Sequence, residues 1–139
     1  MLIQEKFQAD SKTIRQICIK VEEKLISNGV KPDDTNDVIV SIDEALTNIF
    51  LHGKLMKMGN SMDIDLKIEE EQNVVHVIIS DHGIPYDFNS IQIPNIKDMI
   101  NGDKIGGLGV HLMKGLMDRV DYQRKENINI LHMYKKITR

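Results

Sequence analysis

The 139 residues, 41% hydrophobic and 28% charged, fit one compact domain spanning 1–139 and are too apolar for a disordered chain. The formal net charge of −3, with acids and lysines interspersed, gives no electrostatic reason to expect a nucleic-acid partner. The single cysteine, Cys18, excludes an intrachain disulfide and a Cys-based zinc cluster, and no apolar run approaches the roughly 18 residues of a membrane span.

In chain order, "MLIQEKFQAD" is too charged for a signal peptide, so a cytoplasmic setting is expected. Within it, residues 2–8 alternate loosely and predict a strand. From Ser11 to Asn28 the apolar positions Ile14, Ile17, Val21 and Leu25 follow helical spacing, with Cys18 packed among them, and Asn28-Gly29 supplies the stop. "KPDD" opens a second helix running to about Lys57, with Asp33 or Asp34 as the expected cap. After "GNS", Met62, Ile64, Leu66 and Ile68 alternate with Asp63, Asp65 and Lys67 as a half-buried strand. "EEQN" turns into "VVHVIIS", a more continuously apolar and therefore more central strand. Residues 89–105 lack periodicity and read as a loop. Helical spacing returns from Leu108 to Val120, and strands near Val120–Arg124 and Ile128–Ile137 close the chain. This order predicts an α+β two-layer sandwich, with helices on one face of a mixed, mostly antiparallel sheet.

The second helix carries an unusual row. At about 100° per residue, Asp37, Ser41, Glu44 and His52 fall within about 40° of Asn48. Val38, Ile42, Ala45 and Ile49 flank the row on one side, Val40 and Leu51 on the other, and Asp43 points elsewhere. A helix that merely lies on a core has one apolar stripe and one broad wet face. A narrow polar strip with apolar shoulders instead suits the wall of a cleft. The Asn48 amide oxygen is a donor suited to Mg²⁺, and the Glu44 carboxylate can accept a proton from an attacking hydroxyl.

Two glycine stretches follow. In "ISDHGIPYDF", Asp81 closes the most apolar strand and Gly83 permits a sharp turn, leaving a carboxylate able to accept from an exocyclic amine. In "DKIGGLGVHLMKGLMD", Gly106, Gly107 and Gly109 end the loop and lead into a helix whose N-terminal donors suit an anion. Neither a Walker A motif nor a dinucleotide fingerprint is present.

Together, "EALTNIFLHG", "DHGIPYDF" and "GGLGVHLMKGLMD" resemble the N, G1 and G2 boxes of the GHKL (gyrase/Hsp90/histidine kinase/MutL) ATP-binding domain. Within it, the chain looks like the small bacterial anti-sigma factors that are also serine protein kinases. The resemblance implies a Bergerat-type ATP-binding fold that binds ATP and Mg²⁺, phosphorylates a serine on an anti-anti-sigma (STAS-type) protein, sequesters a sigma factor and forms a homodimer. It casts Glu44 as general base, Asn48 as the Mg²⁺ ligand and His52 as a neighbour of the phosphates. Asp81 and Gly83 would bind adenine. Lys104, Gly106, Gly107, Leu108, Gly109 and Val110 would surround the phosphates, and residues 89–105 would form the ATP lid.

Two departures stand out. Pro85 replaces the second glycine of the usual Asp-x-Gly-x-Gly, and the lid holds no arginine, leaving Lys97 or Lys104 as its cations. The alternative expectation is therefore a non-catalytic nucleotide-binding module of the same fold, and a third is a plain α+β domain with an empty cleft. Of the histidines, His76 and His132 read as packed strand residues, whereas His82 and His111 flank the expected nucleotide.

Overall fold

The computed structural model describes residues 2–55, 63–83 and 105–139; of residues 52–55 and 105–110 it describes the backbone alone. Among these residues the elements run β1 (Ile3–Gln8), α1 (Ser11–Ser27), α2 (Pro32–Leu55), β2 (Asp63–Glu71), β3 (Val74–Asp81), α3 (Ile105–Leu116), β4 (Arg119–Lys125) and β5 (Ile128–Lys136). None of the described helices is long and apolar enough to cross a membrane.

Local chemistry explains the helix ends. Asp10 has extended φ/ψ, and its carboxylate accepts from the Thr13 N–H at 2.8 Å, capping α1. At the other end Gly29 takes φ +83°, Gly29 N–H bonds the Ile26 carbonyl and Val30 N–H bonds the Leu25 carbonyl. That is a Schellman motif at the expected Asn28-Gly29 stop. The expected cap of α2 is corrected: the helix begins at Pro32, whose missing N–H costs nothing in the first turn. Asp33 and Asp34 therefore lie inside that turn, where their charge favours the positive dipole end. Asp34 has another task, because its Oδ2 accepts from the backbone N–H and hydroxyl of Thr138 at 2.7 and 2.9 Å, fastening the chain end.

The sheet order is β1-β2-β3-β5-β4, and every described pairing is antiparallel. Two hairpins build most of it. The β2–β3 turn has φ of 53° and 63° at Gln72 and Asn73, and the β4–β5 turn has 54° and 67° at Glu126 and Asn127. Such left-handed pairs match strand twist, which is why two-residue hairpins prefer them. Ile64, Leu66, Ile68, Val75, Val77, Ile79, Leu131 and Met133 point to one face and are buried there. They meet Ile14, Ile17, Val21 and Leu25 of α1 and Val38, Ile42, Leu46 and Ile49 of α2, with Met113 of α3. Each fully buried side chain of this kind contributes about 1.5–3 kcal/mol.

The opposite face has no helix over it among the described residues. It carries a half-buried stack in which His76 lies on Tyr134, centroids 4.2 Å apart, and His76 Nε2 sits 2.9 Å from His132 Nδ1. His76 and His132 are thus packed strand residues, as the sequence reading expected.

Candidate functional site

The row on α2 divides by function along its length. Asp37, at its start, forms an ion pair with Lys135 of β5 at 2.9 Å. Ser41 is fully buried, and its Oγ has no hydrogen-bond partner among the described residues. Glu44 is half-buried; burial pushes its carboxyl above the usual carboxylate range, and the negative charge of neighbouring Asp43 adds to the shift. Asn48, one turn on, has a buried Oδ1 with no hydrogen-bond partner among the described residues. Val38, Ile42, Ala45 and Ile49 are buried beside the row, Val40 and Leu51 are half-buried on its other flank, and Asp43 is exposed. The apolar shoulders exist, and the strip is recessed between them. The side chain of His52 lies outside the described residues.

Polar atoms left unpaired in a recess are costly, about 1–3 kcal/mol each, so they call for a partner beyond the described residues. The Asn48 amide oxygen is the donor type that Mg²⁺ accepts, and the Glu44 carboxylate lies one helical turn away. These residues fit a hard cation held beside a proton acceptor.

A second group forms where β3 ends. Strand alternation turns Asp81 inward with Val75, Val77 and Ile79, and it is 5% exposed. Its Oδ1 accepts from the Gly83 N–H at 2.7 Å and from Asn129 Nδ2 at 3.1 Å. Gly83 leaves the carboxylate in place: a Cβ at that position would lie 2.7 Å from Asp81 Oδ1 and force it to move. Asn129 is directly opposite Asp81 in the β3–β5 ladder. Its Oδ1 accepts from Tyr122 Oη at 2.5 Å and Arg124 Nη1 at 2.9 Å, and the same Nη1 donates to the Gly83 carbonyl at 2.9 Å. The amide orientation is forced, since a flip would set its NH₂ against the guanidinium and its oxygen against the carboxylate.

Sequence reasoning missed Asn129, Tyr122 and Arg124. The available signal was alternation along β5, where Asn129 occupies a core-facing position in series with Leu131 and Met133. His82, expected beside the nucleotide, is instead exposed on the far side of the sheet. It lines a hollow of about 610 Å³ with Ser80 and Ile130.

The third group is α3, which packs on α2. Two bounds differ from the sequence reading. The helix begins at Ile105, so Gly106 and Gly107 lie in its first turn and Gly109 just beyond it, rather than ending a loop. The first four N–H groups of a helix have no intrahelical acceptor, so the Gly106 and Gly107 donors survive the shift, whereas the Gly109 N–H is matched to the Ile105 carbonyl within the helix. The helix ends at Leu116, because Val120 pairs with Met133 in the sheet. His111 Nε2 is buried without a hydrogen-bond partner among the described residues. The side chains of Leu108 and Val110, together with Lys97, Lys104 and 89–104 of the expected lid, lie outside the described residues.

Comparison with known proteins accords with this geometry. The histidine kinase-like ATPase domain profile matches residues 7–135. The chain is 29% identical over 115 residues to the serine-protein kinase RsbW of Bacillus cereus strain AH820, covering 80% of this chain and 69% of that one. To the RsbW of strain AH187 it is 26% identical over 141 residues, covering 99% and 86%. Its fold resembles a chain in the SiaB–SiaC complex of Pseudomonas aeruginosa, with a TM-score of 0.75 at 15% identity over 96% of this chain and 88% of that one. A structure of RsbU and RsbW domains from Mycobacterium tuberculosis gives 0.66 at 14% identity, over 99% and 33%.

Proposed function

The chain belongs to the histidine kinase-like ATPase domain family, and from that membership we propose that it is an ATP–Mg²⁺-binding anti-sigma kinase. It phosphorylates a serine on an anti-anti-sigma (STAS-type) partner and sequesters a sigma factor, acting as a cytoplasmic homodimer of single-domain chains. The observation that carries the reading is the Asn48 Oδ1, buried without a hydrogen-bond partner among the described residues one turn from the half-buried Glu44 carboxylate.

In this reading Asp81 accepts from the adenine amine, with Gly83 allowing the base close approach. In the first turn of α3, Gly106 and Gly107 offer backbone donors to the phosphates, and Gly109, without a side chain, lets the phosphates come close. Leu108 and Val110 flank those donors, and His52 and Lys104 supply nearby cationic groups. Asn48 holds Mg²⁺, which when bound screens the phosphate charge. Glu44 accepts the proton of the attacking serine hydroxyl, and its raised pKa makes it a better acceptor than an exposed glutamate. The new Oγ–P bond replaces the bond to the β,γ-bridging oxygen, and ADP departs.

The test is incubation with labelled ATP, Mg²⁺ and the cognate anti-anti-sigma protein. Phosphoserine that forms with the wild type and is absent with Glu44→Ala supports the kinase. The absence of arginine between residues 84 and 104 favours a second reading, a nucleotide-binding interaction module without transfer. Tight ATP binding with no phosphoserine would select that module.

A further inference from the structure

The side chain that organises the base-reading end of the site comes from a strand that none of the three motifs touches. Arg124 of β4 is paired directly with Asn129 across the β4–β5 ladder. One of its nitrogens, Nη1, donates to Asn129 Oδ1 and to the Gly83 carbonyl, each at 2.9 Å. Both acceptors lead to the same carboxylate: Asn129 passes a donor to Asp81 Oδ1 through Nδ2, and Gly83 does so through its N–H. The guanidinium therefore closes one ring of four hydrogen bonds that runs through Asp81 Oδ1. We propose that Arg124 is a positioning residue for nucleobase recognition, fixing Asp81 so that Oδ1 stays committed and Oδ2 is kept for an exocyclic amine of the base. This rests on the nucleotide-binding reading above.

Several features favour this role over a simple hairpin staple. Asp81 is buried, so its rotamer is set by its few donors rather than by water. Among the described residues both donors to Asp81 go to one oxygen, Oδ1, and Oδ2 accepts none. Asn129 is polarised by the cation on its acceptor side, which strengthens the donor it offers to the carboxylate. Tyr122 supports the same acceptor from within the sheet, its Oη 2.5 Å away. A guanidinium with two acceptors on one nitrogen also positions the Gly83 peptide, where a side-chain atom would collide with Asp81. Arg124 itself is exposed, so its replacement leaves the apolar core intact.

The role predicts a change in discrimination rather than a uniform loss. The experiment compares dissociation constants for ATP and for purine riboside triphosphate, which lacks the 6-amino group, by calorimetry with Mg²⁺ on wild type, Arg124→Gln and Arg124→Lys. Thermal melts and circular dichroism of each variant report folding. Wild type should prefer ATP by about tenfold or more, the scale of one buried hydrogen bond to a charged acceptor. Arg124→Gln should bind ATP about tenfold more weakly and the analogue within about twofold of wild type, so the preference collapses. Arg124→Lys, which keeps the charge but reaches fewer acceptors, should recover part of it. A folded Arg124→Gln that weakens both nucleotides equally, or neither, overturns the positioning role while leaving the nucleotide reading intact. A wild type that binds neither nucleotide overturns both.

Discussion

Lys135 Nζ lies 2.9 Å from Asp37 Oδ2 and donates at 2.8 Å to the Leu116 carbonyl, so one side chain of β5 ties the start of α2 to the end of α3. The pair is only 14% and 27% exposed, which lifts it out of the class of screened surface ion pairs. It sets two helices against each other, one bearing Glu44 and Asn48 and the other the glycine turn. Lys135→Met keeps the apolar stem but strands a half-buried carboxylate and a helix-end carbonyl. A loss of about 1–3 kcal/mol in urea unfolding is expected, with an unchanged m-value. Adding Asp37→Leu should recover part of that loss, because the stranded charge is removed as well.

Glu44 gives the opposite sign. Its pKa is raised in the folded protein by burial and by Asp43, so the folded state favours its protonated form. Its contribution to stability is present below the unfolded value near 4.5 and is lost as pH rises through the folded value. Glu44→Gln should therefore raise the melting temperature at neutral pH and leave it nearly unchanged at about pH 4. The same substitution should reduce phosphate transfer by about 10²–10⁴-fold. Stability gained where function is lost is what a residue kept for chemistry produces.

The chain terminus makes a pH-dependent contribution of the reverse kind. The Thr138 N–H holds the Asp34 carboxyl below the usual range, with the Thr138 hydroxyl assisting against slight burial. That contribution is present above the unfolded value of 3.8 and fades as pH falls through the folded one. Asp34→Asn should lower the melting temperature by a few degrees at neutral pH, and the gap should close in acid. An equal gap at both pH values would remove Asp34 from this role.

Cys18 offers a probe of folding without disturbing the site. Burial first, and then the Asp43 charge, push its thiol up to about 11 from 9.0. The reactive thiolate is thereby depleted by about a hundredfold relative to the unfolded chain. Alkylation near pH 8 should be slow in the native protein and rapid in denaturant, with the native rate tracking local opening.

Much of this architecture is legible in the sequence because local and tertiary preferences agree. The Ile14, Ile17, Val21, Leu25 spacing and the Asn28-Gly29 stop define α1 with no help from the rest of the chain. The Glu44–Asn48 spacing is readable for the same reason, since four residues on one helix have only one geometry. The start of α3 is misread because glycine argues against helix by propensity, while packing on α2 favours it. The end of α3 is misread because Met117 and Val120 suit either period until a strand partner is known. Arg124 is invisible for a deeper reason: its acceptor at Gly83 belongs to another hairpin, and no local pattern encodes that meeting.

The Glu126-Asn127 turn, with both central residues left-handed, carries a consequence for the chemistry beside it. Arg124 stands two residues before that turn and Asn129 two beyond it, so the turn's length sets which residue of the edge strand β4 lies opposite the amide, while pairing with Asp81 in β3 holds Asn129 itself. Inserting a single residue there would slip β4 against β5 by one and take the guanidinium off the Asn129 amide. Length at this corner is thus under the same constraint as side-chain identity in the pocket, and lineages of this domain should vary the corner's residues far more freely than their number.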